Sequence, residues 1–219
     1  MATLQSGNSP GQRVKAGDWL IDSAEGVGVE PVAKRFGFFE RIHIDYRKAN
    51  EKSAKAVAAL ASAERKVGEL DVTQDERLEA FAVARIAAGA PRVNPISEYK
   101  VGSVSVVKGM GHESEAKVLL KIAAKAKNHP DAGVKKAAAA MEKAANAVLA
   151  AAKPIPDLIK ARDAAMRARD AKGPGWEKAF AALKRAVRAA EDEGAAGLFA
   201  ALFEVEKPKA KKPKGEPKA

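Results

Sequence analysis

Glu40-Arg-Ile-His43 sets a carboxylate and an imidazole three residues apart, the spacing that brings two ligands to one helix face in di-metal helical bundles. Such a centre needs a second copy of the motif and further carboxylates. The residues three positions before His112 and His129 are Gly109 and Ala126, so no second copy is present, and His43 is expected to be a half-buried or surface histidine without metal. Ser114-Glu-Ala-Lys117 fits the S-x-x-K spacing of a serine nucleophile beside a lysine. Its companion motifs are missing, and Ser97-Glu-Tyr-Lys100 fits the same spacing. The plainer reading puts Ser114 between Glu113 and Glu115 in the first turn of a helix, where negative charge suits the dipole. Gly26-Val-Gly28 and Gly109-Met-Gly111 each lack the third glycine of a dinucleotide loop, and the absence of any Gly-Lys pair removes the Walker phosphate loop. No catalytic, cofactor-binding or metal-ligating residue is assigned, no cofactor is expected, and the chain is not expected to be an enzyme.

Charge is the stronger signal. Lys and Arg number 39 against 28 Asp and Glu, for a net charge of +11. Residues 207–219 contribute +5 of it through Lys207, Lys209, Lys211, Lys212, Lys214 and Lys218 against one Glu. Prolines between these lysines forbid helix, so the tail is expected to be extended. In composition these 13 residues resemble the C-terminal tails of linker histones, which implies attraction to a polyanion and nothing more specific. A second basic set comprises Lys160, Arg162, Arg167 and Arg169 on one expected helix and Lys178, Lys184, Arg185 and Arg188 on the next. Packed side by side, the two helices would present one patch to an anionic partner. Only 5% of residues are aromatic, which argues against base stacking along a single strand.

The elements that must carry these charges are helical. Ala, Lys, Glu and Arg dominate, and Thr occurs only at Thr3 and Thr73. The expected fold is all-α, an antiparallel Ala-rich bundle of about six helices. A long helix near 31–70 shows the clearest pattern: Phe39, Ile42, Tyr46, Ala49, Ser53, Ala56, Leu60, Ala63, Val67 and Leu70 follow one another in steps of three and four. A shorter helix is expected at about 75–88, and a short β segment near 99–107, where Val101, Val104, Val106 and Val107 sit among Ser and Gly. Beyond Glu113, the stretches Asn-His-Pro-Asp, Lys-Pro-Ile-Pro-Asp and Lys-Gly-Pro-Gly are read as breaks between four helices, the last at about 176–204.

The expected domain plan is an extended N-terminal arm at 1–30, a helical domain at 31–206 with a sub-boundary in 89–112, and the basic tail at 207–219. Phe39, Ile42, Tyr46, Leu60 and Val67 on the long seam, with Leu198, Phe199, Leu202 and Phe203 in the apolar run Gly194–Phe203, are candidates for a protein interface. That run is too short to span a bilayer, the chain has no Cys, and the first residues lack an apolar leader, so a cytoplasmic location is expected. Together these features lead to the expectation of a non-enzymatic structural or assembly protein, a component of a larger complex or particle that binds other chains or further copies of itself. The alternative is a sequence-independent nucleic-acid-binding protein, with an enzyme lacking any recognisable motif as a third reading.

Overall fold

The computed structural model describes residues 2–205. Seven α-helices account for most of them: α1 (Pro10–Glu25), α2 (Ala33–Ala87), α3 (Val104–Lys108), α4 (His112–Ala126), α5 (Ala132–Ala152), α6 (Ile155–Asp192) and α7 (Leu198–Phe203). Strands β1 (Ala2–Thr3) and β2 (Glu204–Val205) pair antiparallel, Ala2 opposite Val205 and Thr3 opposite Glu204. The fold is all-α, as composition and periodicity predict.

The chain divides into two compact units, with boundaries inside α2 and α6 at 54/55 and 163/164 rather than in 89–112. In the first unit, Leu20 of α1, Phe36, Phe39 and Tyr46 of α2, Trp176, Phe180 and Leu183 of α6, and Leu202 and Phe203 of α7 form one buried cluster. In the second, α4 and α5 form a helical hairpin whose inner residues, Leu119, Ile122, Met141 and Val148 among them, join Leu78 and Phe81 of α2. Tyr99 and Val107 close this second core.

Five sequence expectations are corrected. The arm at 1–30 contains α1. Ser9 caps that helix by accepting from Gln12 N–H while the Gln12 side chain accepts from Ser9 N–H, and Pro10 sits in the first turn. The helix near 31–70 does not stop there but runs to Ala87, because no Pro or Gly interrupts 69–87 and Thr73 returns its hydroxyl to the Glu69 carbonyl at 3.5 Å.

The β segment is instead a one-turn 3-10 helix (Ser97–Tyr99) followed by α3. Left-handed backbone at Lys100 (φ 57°) and Gly102 (φ 93°) ends any extended run, and Ser103 then accepts from Val106 N–H to start a helix. Lys-Gly-Pro-Gly does not break α6. Pro174 lies inside the helix on its exposed side, and the carbonyl that loses its intrahelical donor belongs to Asp170, a residue likewise open to solvent. The helix ends instead at Asp192, and Gly194 (φ 113°) and Gly197 (φ 81°) turn the chain into α7.

Candidate functional sites

Helical periodicity places every residue of the long seam inward. Phe39, Tyr46, Ser53, Leu60 and Val67 are buried, and Ile42, Ala49, Ala56, Ala63 and Leu70 are half-buried. Leu198, Leu202 and Phe203 are buried and Phe199 is half-buried, stacked on Phe203. The residues expected at a protein interface are therefore core of this chain, occupied by its own helices. Apolar residues at three-and-four spacing satisfy either use, and the fold takes the intramolecular one.

His43 is fully buried, not at the surface. Trp176 Nε1 donates to His43 Nδ1 at 3.1 Å, which leaves the ring proton on Nε2 to face Asp18 Oδ1 at 2.8 Å. Arg47 holds the same Asp18 oxygen at 3.2 Å. Both ring nitrogens are thus engaged by protein groups, and the histidine of the E-x-x-H spacing belongs to a structural hydrogen-bond chain joining α1, α2 and α6. Close approach of α1 to the ring requires Gly17: a Cβ there would lie 2.0 Å from His43 Nδ1. Ser114 is exposed in the first turn of α4, its N–H donating to the Gly111 carbonyl at 2.8 Å.

The eight cations of the second basic set lie on one helix, α6, rather than on two neighbours. Most have local employment. Lys160 pairs with Asp157 at 3.4 Å, Arg162 places Nε and Nη2 on Asp163 Oδ1, and Arg169 binds Asp170 and donates to Ser53 Oγ at 3.3 Å. Lys184 donates to the Leu4 carbonyl at 3.3 Å and lies over the Phe203 ring; burial, then the Arg188 charge, pull its pKa below the ordinary lysine value. Arg188 sits over the Phe199 ring at 4.8 Å. Arg167, Lys178 and Arg185 are exposed, and among the described residues they take part in none of the ion pairs of α6. Their separations of 11 and 7 residues are close to whole numbers of turns, so they share one stripe, with roughly 16 Å and roughly 10 Å between successive charges. The tail lysines Lys207–Lys218 lie outside the described residues.

Two further cationic surfaces escaped the sequence reading. Lys34, Arg35, Phe38 and Arg41, all exposed at the start of α2, line a shallow depression of about 310 Å³ with the Phe38 ring 45% exposed. Lys117, Lys121 and Lys125 form an exposed stripe along α4, four residues apart, on the face away from Leu119 and Ile122. The available signal was the helical period applied to charges as well as to apolar residues.

The second unit holds a cluster of polar groups under α4. Glu115 is buried, with Asp75 and Asp71 of α2 nearby; burial first, then the Asp75 charge and hydrogen bond, push its carboxyl up to about 8. Lys108 reaches Glu79 at 2.6 Å and Asp75 at 3.5 Å, and the Glu79 hydrogen bond above all raises its pKa. His112 Nδ1 lies 2.8 Å from Asp71 Oδ2. No helix among the described residues is long and apolar enough to cross a membrane. Comparison with protein-family models, curated proteins and solved structures finds no match to the chain.

Proposed function

We propose that this chain is a non-enzymatic helical component of a larger assembly and that it holds a polyanionic partner through its exposed cations. The observation that carries this reading is the division of labour on α6: five of eight cations are used internally, while Arg167, Lys178 and Arg185 are left to solvent along one stripe. His43, which the sequence singles out for chemistry, supports the same view, since both its ring nitrogens are engaged by Asp18 and Trp176. Because the apolar seams are filled by the chain itself, the partner is met by charge rather than by a helix seam.

A second reading, sequence-independent binding of nucleic acid, is favoured by Phe38. An exposed ring flanked by Lys34, Arg35 and Arg41 offers a stacking face beside phosphate-binding cations. Titration of duplex and single-stranded DNA at several salt concentrations tests both, using the full chain, a version ending at Glu206, and an Arg167→Glu/Lys178→Glu/Arg185→Glu variant. Binding that falls steeply with salt, with a slope reduced by roughly one for each lost phosphate contact, supports the nucleic-acid reading. No binding near physiological salt removes it and leaves an acidic protein surface as the partner. Retention of a physiological complex by the triple variant overturns the role given to the α6 stripe.

A further inference from the structure

Glu115 is 1% exposed, and its Oε1 has no hydrogen-bond partner. Asp75 lies within hydrogen-bonding reach of it, and Asp75 Oδ1 is likewise buried without a partner. Two carboxylate oxygens cannot satisfy each other, because both only accept. One proton on Glu115 supplies the donor the pair lacks.

The surroundings offer one other donor, the Gln74 side chain, whose hydrogen bond to Glu115 pulls the carboxyl down but is outweighed by burial and by Asp75. From α2 come Asp71, Gln74, Asp75 and Glu79; Gln74 Nε2 donates to Asp71 Oδ1 at 3.4 Å, and Gln74 Oε1 is itself buried and unpartnered. From α3 comes Lys108, whose ammonium is taken by Glu79 at 2.6 Å and by the other oxygen of Asp75 at 3.5 Å. From α4 itself comes His112, which faces Asp71. The α5 helix packs on α4 through Val134, Ala138, Met141 and Ala145, all apolar. Among the described residues no cationic side chain pairs with Glu115.

We propose that the Glu115–Asp75 pair is a proton-operated clasp: protonated, Glu115 holds α4 against the 71–79 segment of α2, and loss of the proton loosens that contact within the second unit. Burial and the neighbouring carboxylates hold the proton in the folded chain up to about pH 8, whereas a free glutamate releases it near 4.5. The folded state then binds more protons than the unfolded state between these values. Stability therefore falls as pH rises from about 4.5 to about 8, and is insensitive to this group below that window. Opening at this point exposes the core around Leu78, Phe81, Leu119 and Ile122.

The test uses the full chain. Urea unfolding at a series of pH values between 5 and 9 should show the wild type losing stability with rising pH and Glu115→Gln, which keeps shape and supplies a permanent donor, nearly flat. Parallel slopes for wild type and Glu115→Gln would overturn the proposal. If Glu115→Gln does not fold, the wild type alone decides by carbon-13 titration of its glutamate carboxyls: one midpoint well above 6 supports the clasp, and none sinks it. Amide exchange, expressed as protection factors so that intrinsic pH dependence cancels, should show α4 losing protection from pH 6 to 9 while α1 keeps it. Equal behaviour of α1 and α4 would argue against a local device.

Discussion

The indole N–H of Trp176 and Nδ1 of His43 meet at 3.1 Å, residues 133 positions apart that are both fully buried. This bond fixes the imidazole tautomer and passes the polarity of a buried ring outward to Asp18 and Arg47. Trp176→Phe keeps an aromatic filler but strands Nδ1 and leaves a void beside Tyr46 and Phe180. It should cost about 2–4 kcal/mol in urea unfolding. A loss below about 0.5 kcal/mol would mean that the bond contributes nothing net.

Two glycines in helices should respond to alanine with opposite signs. Gly17→Ala drives a methyl into the His43 ring, which is buried and cannot swing aside, and should destabilise by about 1–3 kcal/mol. Gly68→Ala in α2 meets nothing within 4 Å and relieves the entropy of a mid-helix glycine, stabilising by about 0.5–1 kcal/mol. Equilibrium unfolding of both variants in one buffer checks the pair.

Tyr99 is buried against Phe81 and under Arg85. Burial above all, then its hydrogen bond to Glu98, push its phenol up to about 12, with Arg85 pulling the other way. The unfolded chain releases this proton near 10, so stability falls as pH rises from about 10 to about 12. Tyr99→Phe should flatten that part of the alkaline profile and remove a late-ionising tyrosine from the absorbance titration of the wild type. An absorbance titration that loses only a normally ionising tyrosine in Tyr99→Phe would contradict the burial argument.

Arg85 is 6% exposed and works as a hub: Nη2 binds Glu98 at 2.6 Å, Nε donates to the Pro95 carbonyl at 3.5 Å, and the guanidinium plane covers Tyr99. Arg85→Met should cost about 1–3 kcal/mol, and Arg85→Lys should recover little, because an ammonium cannot reproduce the fork and the stacked plane. Thermal melts of the two variants should nearly coincide; full rescue by lysine would reduce the site to a point charge.

The sequence makes the seam from Phe39 to Leu70 legible because side-chain period survives any tertiary arrangement that buries one face. It also contains the start of α1, as Ser9-Pro-Gly-Gln12 has the form of a capping box, hidden by two glycines and a proline that suggest a loop. The continuity of α6 is not local information. Whether Pro174 breaks a helix depends on whether the orphaned carbonyl faces solvent or core, and here Pro174 and Asp170 both lie on the exposed side of the helix. The Glu115 cluster is equally hidden, since Glu113 and Glu115 look alike in a first turn until α2 buries only one of them.

The pairing of Ala2 with Val205 has a topological consequence. Loop closure grows by only about 0.6 kcal/mol for each doubling of length, yet over roughly 200 residues it reaches about 5 kcal/mol, which strands of two residues cannot offset alone. The pair therefore forms late, once α1 and α7 have been brought together by their common core. Residues 2 and 205 then stand side by side, so the described fold is a ring lacking one bond. Joining them and opening the chain at the exposed stretch Pro91–Val93 would give a circular permutant with the same helices, the same two cores and a different order of assembly.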